Sequence, residues 1–263
     1  MSLTTAHIGM IRQAFTAIGA TLPKPVTTAL TDADKLAHAN PIPSVTGEQI
    51  ADAIAACILE DRDPLTDDEV QRLVTAQALG GVTGRNVTYG LGTAGERRVV
   101  AAMRAHADTI LGALSKAART AGETLTDAHA IIGDHDLGES EVVLKLGPEA
   151  ARRWAEARDA LTLLRKIDGA WVALANLTRF ASTTVEPALR LADLNLATFE
   201  KVGRKADAWA IVRAGAVIDL ADATTIRERS QRLSDEREAR QVRIADAPRE
   251  AFRRVHGIGK VLA

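Results

Sequence analysis

Cysteine is almost missing from this chain of 263 residues: Cys57 is the single one, so an intramolecular disulfide is excluded. Aromatic side chains make up only 3% of the residues. The core must therefore be built from alanine and aliphatic side chains. Neither charge sign dominates, since 33 Lys and Arg stand against 34 Asp and Glu. This balance argues against a protein that binds polyanions over its whole surface.

Long apolar runs and readable catalytic motifs are also missing. The longest weakly polar stretch, residues 208–223, is interrupted by Arg213 and Asp219 and is shorter than the ~20 residues that a membrane helix needs. We find no P-loop, no His-Glu-x-x-His helix, no cysteine cluster and no Gly-x-Ser-x-Gly elbow. The first residues show no basic region followed by an apolar one, so we expect a soluble protein without a signal peptide.

What the sequence does have is alanine, 49 residues of it, and apolar residues at helical spacing. The pattern predicts an all-α fold, an irregular bundle of about eight to ten helices. One long central helix is expected from Pro148 to about Phe180, and a charged helix near the C-terminus. Trp154 and Trp171 share the apolar stripe of the long helix and are predicted to be core residues, whereas periodicity leaves Trp209 undecided.

Glycines divide the predicted helices into two regions. Residues 1–80 form an N-terminal helical region, 81–95 a glycine-rich loop and 96–263 the main helical region, with one continuous domain as the alternative. Within the loop, Gly90, Gly92 and Gly95 match the spacing of a dinucleotide fingerprint, but no strand or βαβ unit surrounds them. A flexible connection between helices is the favoured interpretation.

A cluster of acidic residues and histidine lies at Gly133-Asp134-His135-Asp136-Leu137-Gly138. Together with His106, the His135-Asp136 pair resembles the ligand pattern of the all-α His–Asp metal phosphohydrolases. The resemblance implies that His106, His135 and Asp136 bind a divalent metal that activates water, with a distal ligand from Asp193, Asp207 or Asp219. A solvated loop between helices is the alternative and the favoured interpretation, in which no cofactor is needed.

The segment from Ala223 onward carries ten Lys or Arg against six Asp or Glu, a net charge of +4. Mixed signs of this kind are typical of an exposed helix with internal ion pairs. Such a helix is also suited to contacts with another subunit, for which the candidate residues are Arg237, Arg240, Arg243, Arg253 and Arg254. The alternative is a nucleic-acid surface, and the final His256-Gly257-Ile258-Gly259 resembles the hairpin of helix–hairpin–helix DNA-binding motifs.

In overall texture, including Leu146-Gly-Pro-Glu-Ala-Ala-Arg-Arg-Trp154, the chain resembles helical proteins of actinobacteria and their phages. The resemblance implies a non-enzymatic structural or assembly protein, such as a virion component, that acts through protein partners or self-assembly. We expect it in the bacterial cytoplasm or in a virion, without membrane contact. A metal-dependent phosphohydrolase and a nucleic-acid-associated protein are the alternatives.

Overall fold

The structure is a computed structural model, and it describes residues 3–39, 44–80, 82–203 and 206–255. Within these ranges, the side chains of 82–85, 142–144 and 245–255 fall outside the description.

The described residues form twelve helices and contain no strand, which confirms the all-α prediction. In chain order the helices are α1 (Leu3–Ala17), α2 (Lys24–Ala37), α3 (Gly47–Leu59), α4 (Asp68–Gly80), α5 (Val82–Ala105), α6 (Ala107–Ile132), α7 (Ser140–Lys145), α8 (Pro148–Thr178), α9 (Pro187–Leu191), α10 (Leu196–Val202), α11 (Ala208–Arg213) and α12 (Ala223–Val255). The long central helix is α8, and the charged C-terminal helix is α12. None of the helices in these ranges combines the length and apolar character needed to cross a membrane.

One compact unit contains residues 1–22 and 107–263. In it, α8 packs against both α1 and α6. Its core is aliphatic around one fully buried tryptophan, Trp171. The other large aliphatic side chains in this unit that are fully buried are Ile11, Ile110, Leu114, Leu125, Ile132, Leu164, Ile167, Leu174 and Leu194.

The other compact unit contains residues 23–106. Here α2 packs along α5, and α3 and α4 form a helical hairpin. The unit buries few large side chains, namely Val26, Ile50, Val70, Val99 and Met103, together with Cys57. Burial of Cys57 agrees with its position on the apolar face of α3.

The predicted glycine-rich loop at 81–95 is wrong, because residues 82–95 belong to α5. Gly95 shows the physical reason: a Cβ atom built there would lie 2.9 Å from the Cα atom of Ala33. Glycine at this position therefore lets α2 and α5 approach closely. Gly90 and Gly92 lie inside the same helix, so they do not form the loop that a dinucleotide fingerprint requires.

A second glycine, Gly122, also admits a close neighbour inside a helix: a Cβ built there in α6 would lie 2.5 Å from the Cβ of Ile218. Helix α3 begins with a capping box, formed by Thr46 and Gln49. Helix α4 is capped by Asp67, whose Oδ1 accepts hydrogen bonds from the amides of Glu69 and Val70.

Candidate protein–protein interaction surfaces

The loop that carries His135 and Asp136 is a turn between α6 and α7. Asp136 Oδ1 accepts a 2.7 Å hydrogen bond from the amide of Gly138, which is typical of an Asx turn. His106, the third candidate ligand, follows α5 and belongs to the other compact unit. Among the described residues, no group of three or more His, Cys, Asp or Glu is arranged to hold a metal ion. The metal alternative therefore has no ligand set in this part of the chain.

The three candidate distal aspartates each have a structural contact. Asp193 pairs with Arg232, and Asp219 pairs with Arg229. Asp207 caps α11, because its Oδ1 accepts a 3.0 Å hydrogen bond from the amide of Ala210. These contacts account for the carboxylates without a metal.

All three tryptophans donate their indole N–H to a main-chain carbonyl oxygen. Trp154 donates to Leu137 (2.9 Å), Trp209 to His135 (3.0 Å) and Trp171 to Ala221 (2.7 Å). Two of these bonds hold the 133–139 turn against the rest of its unit, one from α8 and one from α11. Trp171 and Trp209 are buried, while Trp154 is half-buried.

Asp134 in the same turn is bonded to a histidine of α6. His129 Nε2 donates to Asp134 Oδ1 at 3.1 Å, and this hydrogen bond holds the pKa of Asp134 below its ordinary value. The rings of His129 and Trp209 also form a T-shaped contact, with ring centroids 5.8 Å apart. The polar residues of the turn thus fix its position, and sequence reasoning had assigned them to a solvated loop or a metal site.

A buried ion pair joins α8 to α9. Arg190, only 5% exposed, donates to both oxygens of Asp168 at 2.6 and 2.7 Å. The guanidinium also lies over the ring of Trp171 at 5.5 Å from its centroid, and it donates to the carbonyl oxygen of Val185. A bidentate geometry of this kind is among the stronger polar contacts in proteins.

The segment 216–222 pairs with the end of α9 and carries the chain into α12. Ala192 and Ile218 form an isolated antiparallel bridge. Two main-chain hydrogen bonds support it, from Asp219 to Leu191 (2.7 Å) and from Ala221 to the carbonyl oxygen of residue 190 (2.8 Å). This pairing places the start of α12 beside α9.

Arg229 locks the first turns of α12 to this pairing. Its guanidinium donates to the carbonyl oxygens of Leu189 (2.9 Å) and Asp219 (3.0 Å) and to the Asp219 carboxylate (2.6 Å). Sequence reasoning grouped Arg229 with the exposed charges. A signal was available, however, because Ile226, Arg229 and Leu233 share one face of the helix at spacings of three and four, and all three are buried.

The next turns of α12 contact α10 and the residues before it. Arg232 pairs with Asp193, and Glu236 accepts a 2.6 Å hydrogen bond from the amide of Leu196. Arg237 and Arg240, both predicted as interaction residues, also have partners in this unit. The Arg237 guanidinium lies 5.4 Å from the centroid of Phe199, and Arg240 donates to both carboxylate oxygens of Glu200 at 2.8 and 2.6 Å.

The remaining predicted interaction residues lie beyond these contacts. Arg243 is exposed and donates to the carbonyl oxygen of Ala239 in its own helix (3.3 Å). Arg253 and Arg254 lie outside the described side chains, and the Gly257-Ile258-Gly259 hairpin lies outside the described residues.

Past Arg240 the helix continues for 15 residues, 241–255, which we name the terminal segment. Its described side chains, 241–244, are all exposed. They include two large apolar ones, Val242 at 54% and Ile244 at 64% exposure. Because the segment continues a helix that is already formed, a partner would stabilise it by covering these apolar side chains rather than by nucleating the helix.

A second exposed apolar surface lies where α3 turns into α4. Ile58, Leu59 and Leu65 are exposed, Leu59 at 85% and Leu65 at 81%. The surrounding residues 60–69 include six Asp or Glu and one arginine, a net charge of −5. We name residues 58–69 the acidic corner.

A groove of about 970 Å³ runs along α6 and α8 beside the end of α1. Alanines supply much of its lining, namely Ala17, Ala20, Ala113, Ala117, Ala121 and Ala160. Charged side chains of both signs also line the groove, namely Lys116, Lys166, Glu156 and Asp159. Of these, Glu156 is paired with Arg152 and Arg153 in its own helix (2.8 and 3.1 Å).

No protein-family model, curated protein or solved structure matches this chain. Its function must therefore be argued from its own surfaces.

Proposed function

We propose that this protein is a non-enzymatic, self-assembling helical component of a larger structure, which acts through protein–protein contacts. The proposal rests on one observation, the contrast between the first turns of α12 and its terminal segment. Its first turns are fixed by Arg229, Arg232, Arg237 and Arg240, whereas the terminal segment extends past them with exposed apolar side chains. A helix anchored at one end presents the other end to a partner in a defined orientation.

Exposed apolar side chains support this use of the terminal segment. Full burial of a valine or isoleucine side chain contributes about 1.5–3 kcal/mol, so covering Val242 and Ile244 would favour association. Single exposed apolar residues are ordinary on protein surfaces. Val242 and Ile244 lie two residues apart, and so on different sides of the helix, with the exposed Arg243 between them. A partner that contacts both must cover much of the helix circumference.

A bacteriophage virion or its assembly machinery is the setting that we propose for such a component, on the basis of the sequence resemblance alone. Within the described residues the candidate metal ligands form no cluster, so the phosphohydrolase alternative gains no support. The arginines of α12 that do have described partners mostly contact carboxylates or a ring, which leaves fewer of them to contact phosphates.

Size-exclusion chromatography with light scattering tests the proposal. We expect the mass of the purified protein to rise above 28.0 kDa with increasing concentration. The double variant Val242→Asp, Ile244→Asp should need at least ten times more protein to reach the same mass, since about 1.4 kcal/mol corresponds to a factor of ten. Val217→Asp is the matched control, because Val217 is also exposed but lies away from the terminal segment. A chain that stays at 28.0 kDa at every concentration would overturn the proposal.

A further inference from the structure

We propose that the terminal segment of α12 binds the acidic corner of a second copy of the chain, in a head-to-tail contact. This inference rests on the proposed self-assembly and adds the identity of the two surfaces. Each of the two surfaces has exposed apolar side chains among its described residues, and the net charges of the two sequences are opposite.

The apolar parts of the two surfaces can cover each other. The acidic corner exposes Ile58, Leu59 and Leu65 in the last turn of α3 and the turn that follows. The terminal segment offers Val242 on one side of the helix and Ile244 on another, so the three apolar side chains of the corner must reach around Arg243 to contact both. Exposed apolar groups rimmed by charges are typical of protein interfaces rather than of free surfaces.

The corner has a defined backbone, so it can present these side chains in one arrangement. The amide of Arg62 donates to the carbonyl oxygen of Cys57 (2.8 Å), which closes α3, and the caps of Asp67 open α4. The amide of Leu65 donates to Asp63 Oδ1 (2.9 Å), and Gln71 donates to the Leu65 carbonyl oxygen (2.7 Å). Leu65 is thus held in place while its side chain remains exposed.

Charge complementarity decides which copy-to-copy contact is favoured. Residues 241–255 carry four arginines and two acidic residues, a net charge of +2, against −5 for residues 60–69. Two terminal segments would repel each other, and so would two acidic corners. A segment against a corner brings opposite charges together, and screening by salt should weaken it.

Some carboxylates of the corner are available for such a contact. Asp61 and Asp68 are exposed and have no hydrogen bond or ion pair from their side chains within the described part of the chain. Arg243 in the terminal segment is exposed as well, with one weak bond to its own helix. Asp61, Asp68 and Arg243 are the charged groups that we expect to pair between copies.

When the terminal segment of one copy binds the acidic corner of another, the pair of copies still has one free corner and one free segment. Association therefore continues into a ring if the rotation closes and into an open chain if it does not. A symmetric contact would stop at the dimer. This difference gives the proposal a test that needs no other partner.

The experiment uses two variants of the full chain. The corner variant is Leu59→Asp with Leu65→Asp, and the segment variant is Val242→Asp with Ile244→Asp. All four side chains are exposed, so the fold should be kept, and circular dichroism checks the helix content. If either variant loses helix, Asp68→Lys and Arg243→Glu repeat the test by charge alone.

We expect each variant alone to stay at 28.0 kDa, whereas an equal mixture forms a species of twice that mass and no larger one. In the mixture the corner variant supplies an intact segment and the segment variant an intact corner. The mixed dimer should dissociate as the NaCl concentration rises.

Three results would overturn the inference. If the wild-type chain associates but the corner variant associates equally well, the corner is not the partner, while the proposed function stands. If the wild-type chain never associates, both proposals fail. If nuclease treatment returns a wild-type oligomer to 28.0 kDa, nucleic acid rather than a second copy binds the segment.

Discussion

Arg229 donates a 2.6 Å hydrogen bond to the carboxylate of Asp219, although the arginine is only 2% exposed and the aspartate reaches solvent. Burial lowers the pKa of Arg229, while the negative charge of Asp219 raises it. The guanidinium also satisfies two main-chain carbonyl oxygens, those of Leu189 and Asp219. This arrangement fixes the first turns of α12 beside α9, and the terminal segment continues from them.

Replacing Arg229 by methionine should destabilise the unit strongly. The change keeps a long side chain but leaves two carbonyl oxygens and one carboxylate without their donor. A loss of about 2–4 kcal/mol in the free energy of unfolding is expected, since breaking a buried charged contact costs about 3–5 kcal/mol and methionine recovers some packing. Urea denaturation followed by circular dichroism measures it.

Arg227→Met is the control for that experiment. Arg227 lies two residues away on the exposed side of α12, and its guanidinium bonds only to the carbonyl oxygen of Ala223 in the same helix. Its replacement should change the free energy of unfolding by no more than about 0.5 kcal/mol. Equal effects of the two variants would show that the buried contacts of Arg229 contribute nothing.

Two glycines of α5 should respond to alanine in opposite directions. At Gly90 an added Cβ meets nothing within 4 Å, so Gly90→Ala should stabilise the helix by about 0.5–1 kcal/mol. At Gly95 the Cβ would lie 2.9 Å from Ala33 Cα, so Gly95→Ala should destabilise by about 1–3 kcal/mol. Thermal unfolding compares them, and stabilisation by both would contradict the close packing of α2 on α5.

Trp209→Phe should loosen the turn that holds His135, because it removes the indole donor and keeps an aromatic ring. We expect a loss of about 1–2 kcal/mol in the free energy of unfolding, as for a buried carbonyl left without its donor. His135→Ala should cost much less, since the bond is to the main-chain oxygen of residue 135. A larger effect of His135→Ala, together with loss of a bound metal, would instead revive the metal site.

Acid should destabilise the unit that contains α12. Hydrogen bonds from Arg232 lower the pKa of Asp193, and the amide of Thr225 lowers that of Asp222. A carboxylate whose pKa is lowered by folding stabilises the fold above its unfolded value of about 3.9, and this contribution is lost as the pH falls through the folded value. The urea midpoint should therefore fall below about pH 4.

The variant Asp193→Asn tests how much of this loss of stability in acid comes from one carboxylate. The variant should be less stable than the wild type at neutral pH, and its urea midpoint should fall less steeply in acid. Asp159→Asn, at an exposed carboxylate of α8, serves as the control. If the urea midpoint falls equally with pH in the wild type and in Asp193→Asn, the ion pair of Asp193 with Arg232 does not contribute to the pH dependence of stability.

Helical periodicity was enough to predict the all-α class and the long α8, because both depend on local spacing and on alanine content. The capping box of Thr46 was predictable for the same reason. The glycines of α5 misled the prediction, since a glycine that relaxes a loop and a glycine that admits a neighbouring helix look alike in sequence. Only the contact of Gly95 with Ala33 distinguishes them.

The candidate surfaces were predicted less completely. Charge counting located the basic C-terminal helix, but it could not separate Arg229, which is buried, from Arg243, which is exposed. The partners of Arg237 and Arg240 lie about 40 residues away in the chain, at Phe199 and Glu200, so no local pattern reveals them. The sequence pattern did not single out the acidic corner, because the exposure of Leu59 and Leu65 is visible only in the fold.

Hydrogen–deuterium exchange at two protein concentrations tests most directly whether the terminal segment of α12 is an assembly surface. We predict that the amides of 241–255 exchange fast in dilute protein and are protected at high concentration, while those of 226–240 are protected in both. Exchange of 241–255 that is the same at the two concentrations, whether fast or slow, would contradict the account.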